Sequence, residues 1–245
     1  GGEIVLSGNN LLVEGTALNS LSLPAEGLTG GDAGDIRVEI NGTTRFVGSA
    51  VGTTTSGNGN AGNISFTTSQ LSLEDSSLSS TTTPTSGRDL NGGSAGNILL
   101  KVDQLTVTGD SLISSRSDNS VGRAGNIALI AKESVELLGN GNFPDTITTS
   151  SVGAAPSCPG KCGDAGTISI TAQTLTLDRV GLTSSTTGDG NAGSLDLAIG
   201  TLTVRNGSQL SAGALSTGAG GSISINATGS VDISNPGQVV GHIRP

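Results

Sequence analysis

Apolar and polar residues alternate in short segments that recur along the whole chain. Each segment begins with a glycine, and the residues two and four positions after it are aliphatic or Phe in all eight copies. Such alternation places these side chains on one face of a β-strand. The spacings between copies are 32, 28, 34, 29, 41, 27 and 28 residues, which indicates a base period of 27–28. The anchor glycines are Gly2, Gly34, Gly62, Gly96, Gly125, Gly166, Gly193 and Gly221.

Each repeat also contains two later apolar positions. A second alternating pair follows nine and eleven residues after the anchor glycine, as at Leu71 and Leu73. Two copies have this pair displaced by one residue, at Val135/Leu137 and Val231/Ile233. A third apolar position lies near the sixteenth residue and is occupied by Leu18, Leu78, Leu112 and Leu182, with Leu210 one residue late. We therefore predict an all-β single domain over residues 1–245, a parallel β-helix of about eight coils with three short strands each.

Glycine-rich segments such as SGNGNAGNI (56–64) mark the corners between coils. We predict a structural role for the anchor glycines, namely positive φ and close approach of successive coils. A phosphate-binding loop would require a Lys and a following helix, and neither is present. Calcium binding at these corners stays open as an alternative, because carboxylates are suitable ligands at Asp32, Asp35, Asp164 and Asp189.

Two insertions and a tail interrupt the repeats. We place the insertions at about 82–94 and 138–163 and the C-terminal tail at 235–245. Insertions in a solenoid project as loops, which carry recognition or are tolerated decoration. The second insertion contains Cys158 and Cys162, whereas the only histidine is His242. Zinc would require four ligands, so we predict a local disulfide and no metal site.

Composition and charge fit a thin solenoid. The chain carries a formal charge of −9 and has 40 Gly, three Phe and no Trp, Tyr or Met. We interpret the lack of aromatic residues as a lumen of stacked Ile, Leu and Val without room for large rings. Ser and Thr are expected on the outer faces, where they have little surface to bury. The acidity argues against nucleic-acid binding, and no segment is apolar enough for membrane insertion.

The sequence contains few residues of the types that catalytic sites use. The three lysines and single histidine are scattered, and Asp103, Asp178 and Asp196 stand singly on expected outward positions. Arg179 and Arg205 have no obvious partner in the sequence. A nucleophile with a base, or a carboxylate pair, is therefore not visible. We predict that the protein is not an enzyme and has no catalytic residues and no cofactor.

The repeat unit, seen in AGNISFTTSQLSLEDSSLSSTT and AGTISITAQTLTLDRVGLTSSTTGDGNAG, resembles the repeats of filamentous-haemagglutinin-like exoproteins. These are large adhesins of the two-partner secretion type in cyanobacteria and other Gram-negative bacteria. The resemblance covers almost the whole chain. It implies a right-handed β-helix, export through an outer-membrane transporter, and a role in adhesion, aggregation or biofilm at the cell surface.

These observations lead to one main functional hypothesis and to alternatives. We expect an extracellular structural rod that contacts other copies of itself, or adjoining solenoid segments, end to end as a filament. No signal peptide is recognisable and Gly1–Gly2 lies directly inside a coil, so we expect a processed or excised piece. The principal alternative is a polysaccharide-processing β-helix lyase or hydrolase, which would need three or more acidic residues with Arg or Lys in one groove. Ice binding is disfavoured, because the Thr runs 53–55 and 81–83 are irregular.

Overall fold

The computed structural model describes residues 1–23, 30–83, 92–140, 146–153 and 162–234, together with the backbone of 239–240. These residues contain 19 strands in two parallel sheets and no helix. The 11-stranded sheet A consists of β1 (Ile4–Gly8), β2 (Leu11–Glu14), β4 (Ile36–Ile40), β5 (Thr43–Val47), β7 (Ile64–Glu74), β9 (Ile98–Gly109), β11 (Ile127–Gly139), β13 (Ile168–Asp178), β15 (Leu195–Arg205), β17 (Ile223–Ala227) and β18 (Val231–Ser234). The eight-stranded sheet B consists of β3 (Ala17–Ser22), β6 (Ala50–Ser56), β8 (Ser77–Thr83), β10 (Leu112–Asp118), β12 (Ile147–Val152), β14 (Gly181–Thr186), β16 (Gln209–Ala214) and β19 (Val239–Val240).

Strand order in both sheets follows the chain, so every coil pairs with the coils before and after it. The path β1-β4-β7-β9-β11-β13-β15-β17 runs through sheet A, and β3 to β19 run in chain order through sheet B. All pairs are parallel and equivalent repeat positions face each other, as Ile98 does with Ile127. The predicted β-solenoid is therefore confirmed. It has about seven turns where the repeats predicted about eight, because eight stacked strands are joined by seven passages of the chain.

The number of strands per coil differs from the prediction in the middle of the molecule. The first, second and last coils have three strands, but in the five coils between them the first two strands merge into one long strand, as in β9. The merged strand β11 is the longest, and its register with β9 shifts between Ala131 and Ser134. One extra residue is accommodated there in a bulge. This bulge explains the displacement of Val135 and Leu137 within the repeat.

The apolar core lies between the inner faces of the two sheets. The predicted first and second pairs point inward, and in the six middle coils the first pair is almost fully buried, as for Ile98 and Leu100. Two aromatic rings also lie in the core, which corrects the expectation that the lumen has no room for them. Phe46 and Phe66 are fully buried and meet edge to face with their centroids 5.7 Å apart. The small Thr44 occupies the inward position beside Phe46, which leaves space for the rings.

Sheet B corrects two further expectations. The third apolar column contains Ile113, which pairs with Leu78, whereas the expected Leu112 pairs with Ser77 outside the column. Residues 147–152 of the predicted insertion 138–163 form the regular strand β12, with Ile147 in the same column. The extra residues of that repeat therefore lie on both sides of a normal strand. Residues 84–91, 141–145, 154–161, 235–238 and 241–245, which include much of the predicted insertions and tail, lie outside the described residues.

Candidate functional site

The corner between sheet B and the next strand of sheet A is built on two columns of glycine. A Cβ on Gly96 would overlap the carbonyl oxygen of Gly62, one coil earlier, and the same holds from Gly34 to Gly221. The predicted close approach of the coils is thus present at seven of the eight anchor glycines, whereas a Cβ on Gly2 in the first coil would meet nothing. A second column, three residues earlier, has the same contacts from Gly59 onward and consists of Gly31, Gly59, Gly93, Gly122, Gly163, Gly190 and Gly218.

Positive φ, the other predicted reason for these glycines, is absent from all eight anchor positions. The left-handed conformation occurs between sheet B and the next strand of sheet A at Gly30, Gly57 and Asn119, and it recurs at the turn between sheet A and sheet B, for example at Gly15 and Gly48. In later coils the same turn is occupied by the non-glycine residues Asp75, Arg179 and Asn206. The anchor glycines from Gly34 onward are therefore required by backbone contact between coils and not by positive φ.

Hydroxyl groups on the inner face of sheet B hold this corner together, which corrects the expectation that Ser and Thr face outward. Ser115 is fully buried, and its Oγ donates to Gly96 O at 2.9 Å and accepts from Gly125 N at 2.8 Å. The column that contains Ser115 consists of Ser20, Thr53, Ser80, Ser115, Thr149 and Ser184, and ends at Ala212. Each serine of this column links the corner glycines of two successive coils in the same way, whereas Thr53 and Thr149 each donate to one corner glycine carbonyl.

A second inward column lies two residues further along each strand. Thr186 donates from Oγ1 to Gly190 O at 2.8 Å, and Ser117 donates from Oγ to Gly122 O at 2.8 Å. Both acceptors belong to the second glycine column. Two hydroxyl columns therefore match two glycine columns across the corner. The strands of sheet B show an apolar residue followed by two alternating hydroxyls, and this pattern is the sequence signal that could have revealed them.

Amide and carboxylate side chains form ladders on the outside of the same corner. Asn97 N donates to Asn63 Oδ1 at 2.9 Å, and Asn126 N donates to Asn97 Oδ1 at 2.8 Å. The carboxylates considered for calcium take equivalent places, because Asp35 accepts from Asn63 N and Asp32 accepts from Asn60 N, both at 2.7 Å.

The two remaining calcium candidates are also engaged in contacts between coils. Asp164 accepts from Asn191 N at 2.8 Å, and its other oxygen lies 3.3 Å from Arg123. Asp189 accepts from the hydroxyls of Ser216 and Thr217. No group of three or more His, Cys, Asp or Glu side chains suited to a metal occurs within the described residues.

Asp178 forms ion pairs with Arg179 and Arg205, the two arginines that have no obvious partner in the sequence. Its side chain is only 10% exposed and contacts Arg205 at 3.0 Å and Arg179 at 3.6 Å. Asn206 Nδ2 also donates to Asp178 Oδ1 at 3.0 Å. This hydrogen bond, followed by the contributions of Arg205 and Arg179, lowers the pKa of Asp178 below its ordinary value, against the opposing effect of burial. The two arginines thus share one partner: Arg179 directly follows Asp178 in the chain, and Arg205 meets it from the next coil only after stacking.

A groove on the outer face of sheet A is the best candidate for a ligand site. It encloses about 540 Å³ where the strands of neighbouring coils change direction, and it is lined by Glu39, Lys101, Asp103 and Lys132 together with Asn41, Thr67, Thr68, Ser69 and the apolar Ile40, Val102 and Ile130. Lys132 Nζ lies 2.6 Å from Asp103 Oδ1, and this contact raises the pKa of Lys132. Sequence spacing could not reveal the groove, since its residues come from four coils.

Three further predicted residues are placed as follows. Asp196 lies on the outer face of β15, opposite Ser169 and Ser224 of the neighbouring coils. Cys162 is buried and disulfide-bonded, and Cys158, the only other cysteine in the chain, lies outside the described residues.

No family model, curated protein or solved structure matches the chain. Within the described residues, no helix is long and apolar enough to cross a membrane.

Proposed function

We propose that this protein is the structural rod of an extracellular adhesin or surface filament, with a role in adhesion, aggregation or biofilm. One observation carries the proposal: most of the polar groups described above join one coil to the next. Buried hydroxyls bridge corner glycines, and exposed amides and carboxylates bond to the neighbouring coil. Such a molecule is built for length and stiffness. At about 4.8 Å per coil, the eight stacked strands span about 34 Å from first to last.

The edges of the stack support end-to-end contact. In the described chain, β1 and β17 each have a single neighbour along sheet A, which leaves one row of backbone donors and acceptors unpaired on each. Val231 and Ile233 continue the inward apolar columns but are 49% and 44% exposed in the last coil. Such an edge pairs readily with a further strand. We propose that adjoining solenoid segments, or other copies of the chain, continue these columns.

The proposed export through an outer-membrane transporter and the cell-surface location rest on the resemblance of the repeats to filamentous-haemagglutinin-like exoproteins. The regular AGNI-type corners, which carry that resemblance, are the positions where successive coils make backbone contact. A solenoid of this kind suits export as an extended chain, because each coil pairs only with its neighbours. Protease accessibility on intact cells, compared with lysed cells, would test the location.

Electron microscopy and size-exclusion chromatography test the filament. We expect filaments about one solenoid wide whose length increases with protein concentration. Val231→Lys with Ile233→Lys should abolish them, because two charges would then block the apolar end of the stack. The control is Asp232→Lys, which adds a lysine to the outer face of the same strand and should still form filaments. A monodisperse monomer at high concentration would contradict the filament and leave the rod intact.

A second candidate function is polysaccharide processing, which the charged groove favours in part, since it has two carboxylates where we expect such an enzyme to need three or more. Two carboxylates and two lysines line the groove, through Glu39, Asp103, Lys101 and Lys132. A lyase or hydrolase would use such groups as acid, base and charge stabiliser. Incubation with polyuronate and chromatography of the products test this function. New, shorter oligosaccharides that disappear with Asp103→Asn would establish the enzyme in place of the adhesin.

A further inference from the structure

The charged groove contains one ammonium group that has no carboxylate partner among the described residues. Eight of the 11 Lys and Arg residues lie in the described part of the chain. Among these eight, only Lys101 has no carboxylate within 4.0 Å, while the other seven form ion pairs. Lys101 is exposed and lies between Thr67 and Ile130 in neighbouring strands. In an acidic chain whose described cations are otherwise neutralised, this position is set apart by its free charge.

Other groups beside Lys101 also have unused binding capacity. The hydroxyl of Thr67 makes no hydrogen bond in the described structure, and Asn41 uses its side-chain nitrogen on Asn9 while its side-chain oxygen accepts nothing. Ile130 is 43% exposed and presents an apolar surface to the same groove. A donor, an acceptor, a cation and an apolar surface thus converge in a volume within the usual range for small-ligand sites.

We propose that this groove binds a carboxylate-bearing oligosaccharide, with the carboxylate on Lys101. Sugar hydroxyls can both donate and accept, which matches Thr67 and Asn41, and the C–H face of a sugar ring can rest on Ile130. Asp103 and Glu39 line the same groove but are already paired, with Lys132 and Arg37. Their carboxylates and the charge of −9 on the chain would repel a densely charged polymer, so the groove suits one charge per sugar. The inference gives the proposed adhesive rod a ligand class and rests on that function.

Isothermal titration with trigalacturonate tests the site, with maltotriose as the neutral probe of the same length. We expect the uronate to bind and maltotriose to bind at least about tenfold more weakly, because a charged hydrogen bond is lost. Lys101→Gln should weaken uronate binding by about tenfold or more, and Lys101→Arg should retain most of it. Arg123→Gln is the matched control, because it removes one exposed cation at the outer corner and should leave binding unchanged. Binding should also weaken as salt increases.

The outcomes separate this inference from the proposed function. No binding of trigalacturonate, or equal binding by Lys101→Gln and the unaltered protein, would overturn the site. Equal affinity for maltotriose would overturn the role of the carboxylate. If uronate binding depends on Lys101 and shorter products also appear, the site stands and the adhesive function fails. If binding fails while filaments form, the rod stands without this ligand.

Discussion

The inner faces of sheets A and B fill the same lumen with different chemistry. Sheet A contributes two aliphatic pairs per coil, such as Ile98/Leu100 and Leu105/Val107, all almost fully buried. Sheet B contributes one apolar residue per strand and then two buried hydroxyls, such as Ser115 and Ser117. The difference follows from what each face meets. Sheet A side chains pack on other side chains, whereas the sheet B hydroxyls face bare glycine backbone whose polar groups need partners.

This contrast shows that burial in a solenoid does not by itself select apolar residues. The next-to-last coil is consistent with this, because Ala212 replaces the hydroxyl there and Gly221 N bonds to Ala212 O at 3.1 Å instead. The serines of this column accept from the corner glycine N–H of the next coil, and Ala212 O takes that place where the hydroxyl is missing. We therefore expect stability to depend on apolar volume at the inward positions of sheet A and on the hydroxyl group at the inward positions of sheet B.

The largest effect on stability is expected from a substitution in the column of anchor glycines. Gly96→Ala places a Cβ against the carbonyl oxygen of Gly62, and neither backbone can move without separating two coils. We expect a loss of more than about 4 kcal/mol in the free energy of unfolding, or no folded protein. Gly2→Ala is the control from the same column, since its Cβ meets nothing within 4 Å. Chemical denaturation followed by circular dichroism measures both, and similar stabilities would refute the close-contact explanation.

The apolar face of sheet A should respond to loss of volume. Leu100 is fully buried between Phe66 and Leu129 of the neighbouring coils. Leu100→Ala removes buried methyl groups and leaves a cavity, so we expect a loss of about 3 kcal/mol. Leu99, the preceding residue of the same strand, lies on the outer face, and Leu99→Ala should have a much smaller effect. Equal losses at the two positions would contradict the assignment of inner and outer faces.

On the inner face of sheet B, replacing a buried hydroxyl with an apolar group should lower the stability of the protein. Ser115→Val adds apolar volume but leaves Gly96 O and Gly125 N without their partner. We expect a loss of about 1–3 kcal/mol, since two buried backbone groups become unsatisfied. Ser115→Thr keeps the hydroxyl and should recover part of the stability, because Thr53 and Thr149 occupy this column and each donate to one corner glycine carbonyl. A more stable Ser115→Val protein would show that the column only needs filling.

The smallest effect on stability is expected at Asp178, at the end of β13, and it occurs only at acidic pH. Asp178 has a pKa below its ordinary value of 3.8, chiefly through Asn206 and then the arginines. A carboxyl with a lowered folded pKa stabilises the fold above its unfolded pKa, and this contribution is lost as pH falls through the folded value.

The variant Asp178→Asn removes this titration. We expect its melting temperature to fall less steeply than that of the unaltered protein as pH is lowered from about 5 to below 4. Asp196→Asn is the control on the same sheet and should keep the original slope. Parallel curves for Asp178→Asn and the unaltered protein would refute a role for Asp178 in acid stability.

Much of the fold could be predicted from the sequence, because strand alternation and glycine spacing are local patterns. The inward pairs such as Ile64/Phe66 and the anchor glycines were found in this way, and the displaced Val135/Leu137 pair marked the bulge. The serine and threonine of sheet B were assigned to the wrong face, because a polar residue in an alternating strand usually points to water. The candidate groove could not be predicted, since Glu39, Thr67, Lys101 and Lys132 lie 28 to 93 residues apart.

By itself, the sequence determined the period, the parallel β-solenoid and the inward aliphatic pairs of sheet A, whereas in sheet B it indicated Leu112 in place of Ile113. Tertiary structure alone decided that hydroxyls enter the lumen, that Asp178 meets Arg205 of the next coil, and that Lys101 lies in a groove with no carboxylate partner among the described residues. The physical reason is distance along the chain. Alternation acts between residues two apart, whereas a hydrogen bond or ion pair between coils exists only once stacking has brought residues about 27 or more positions apart into contact.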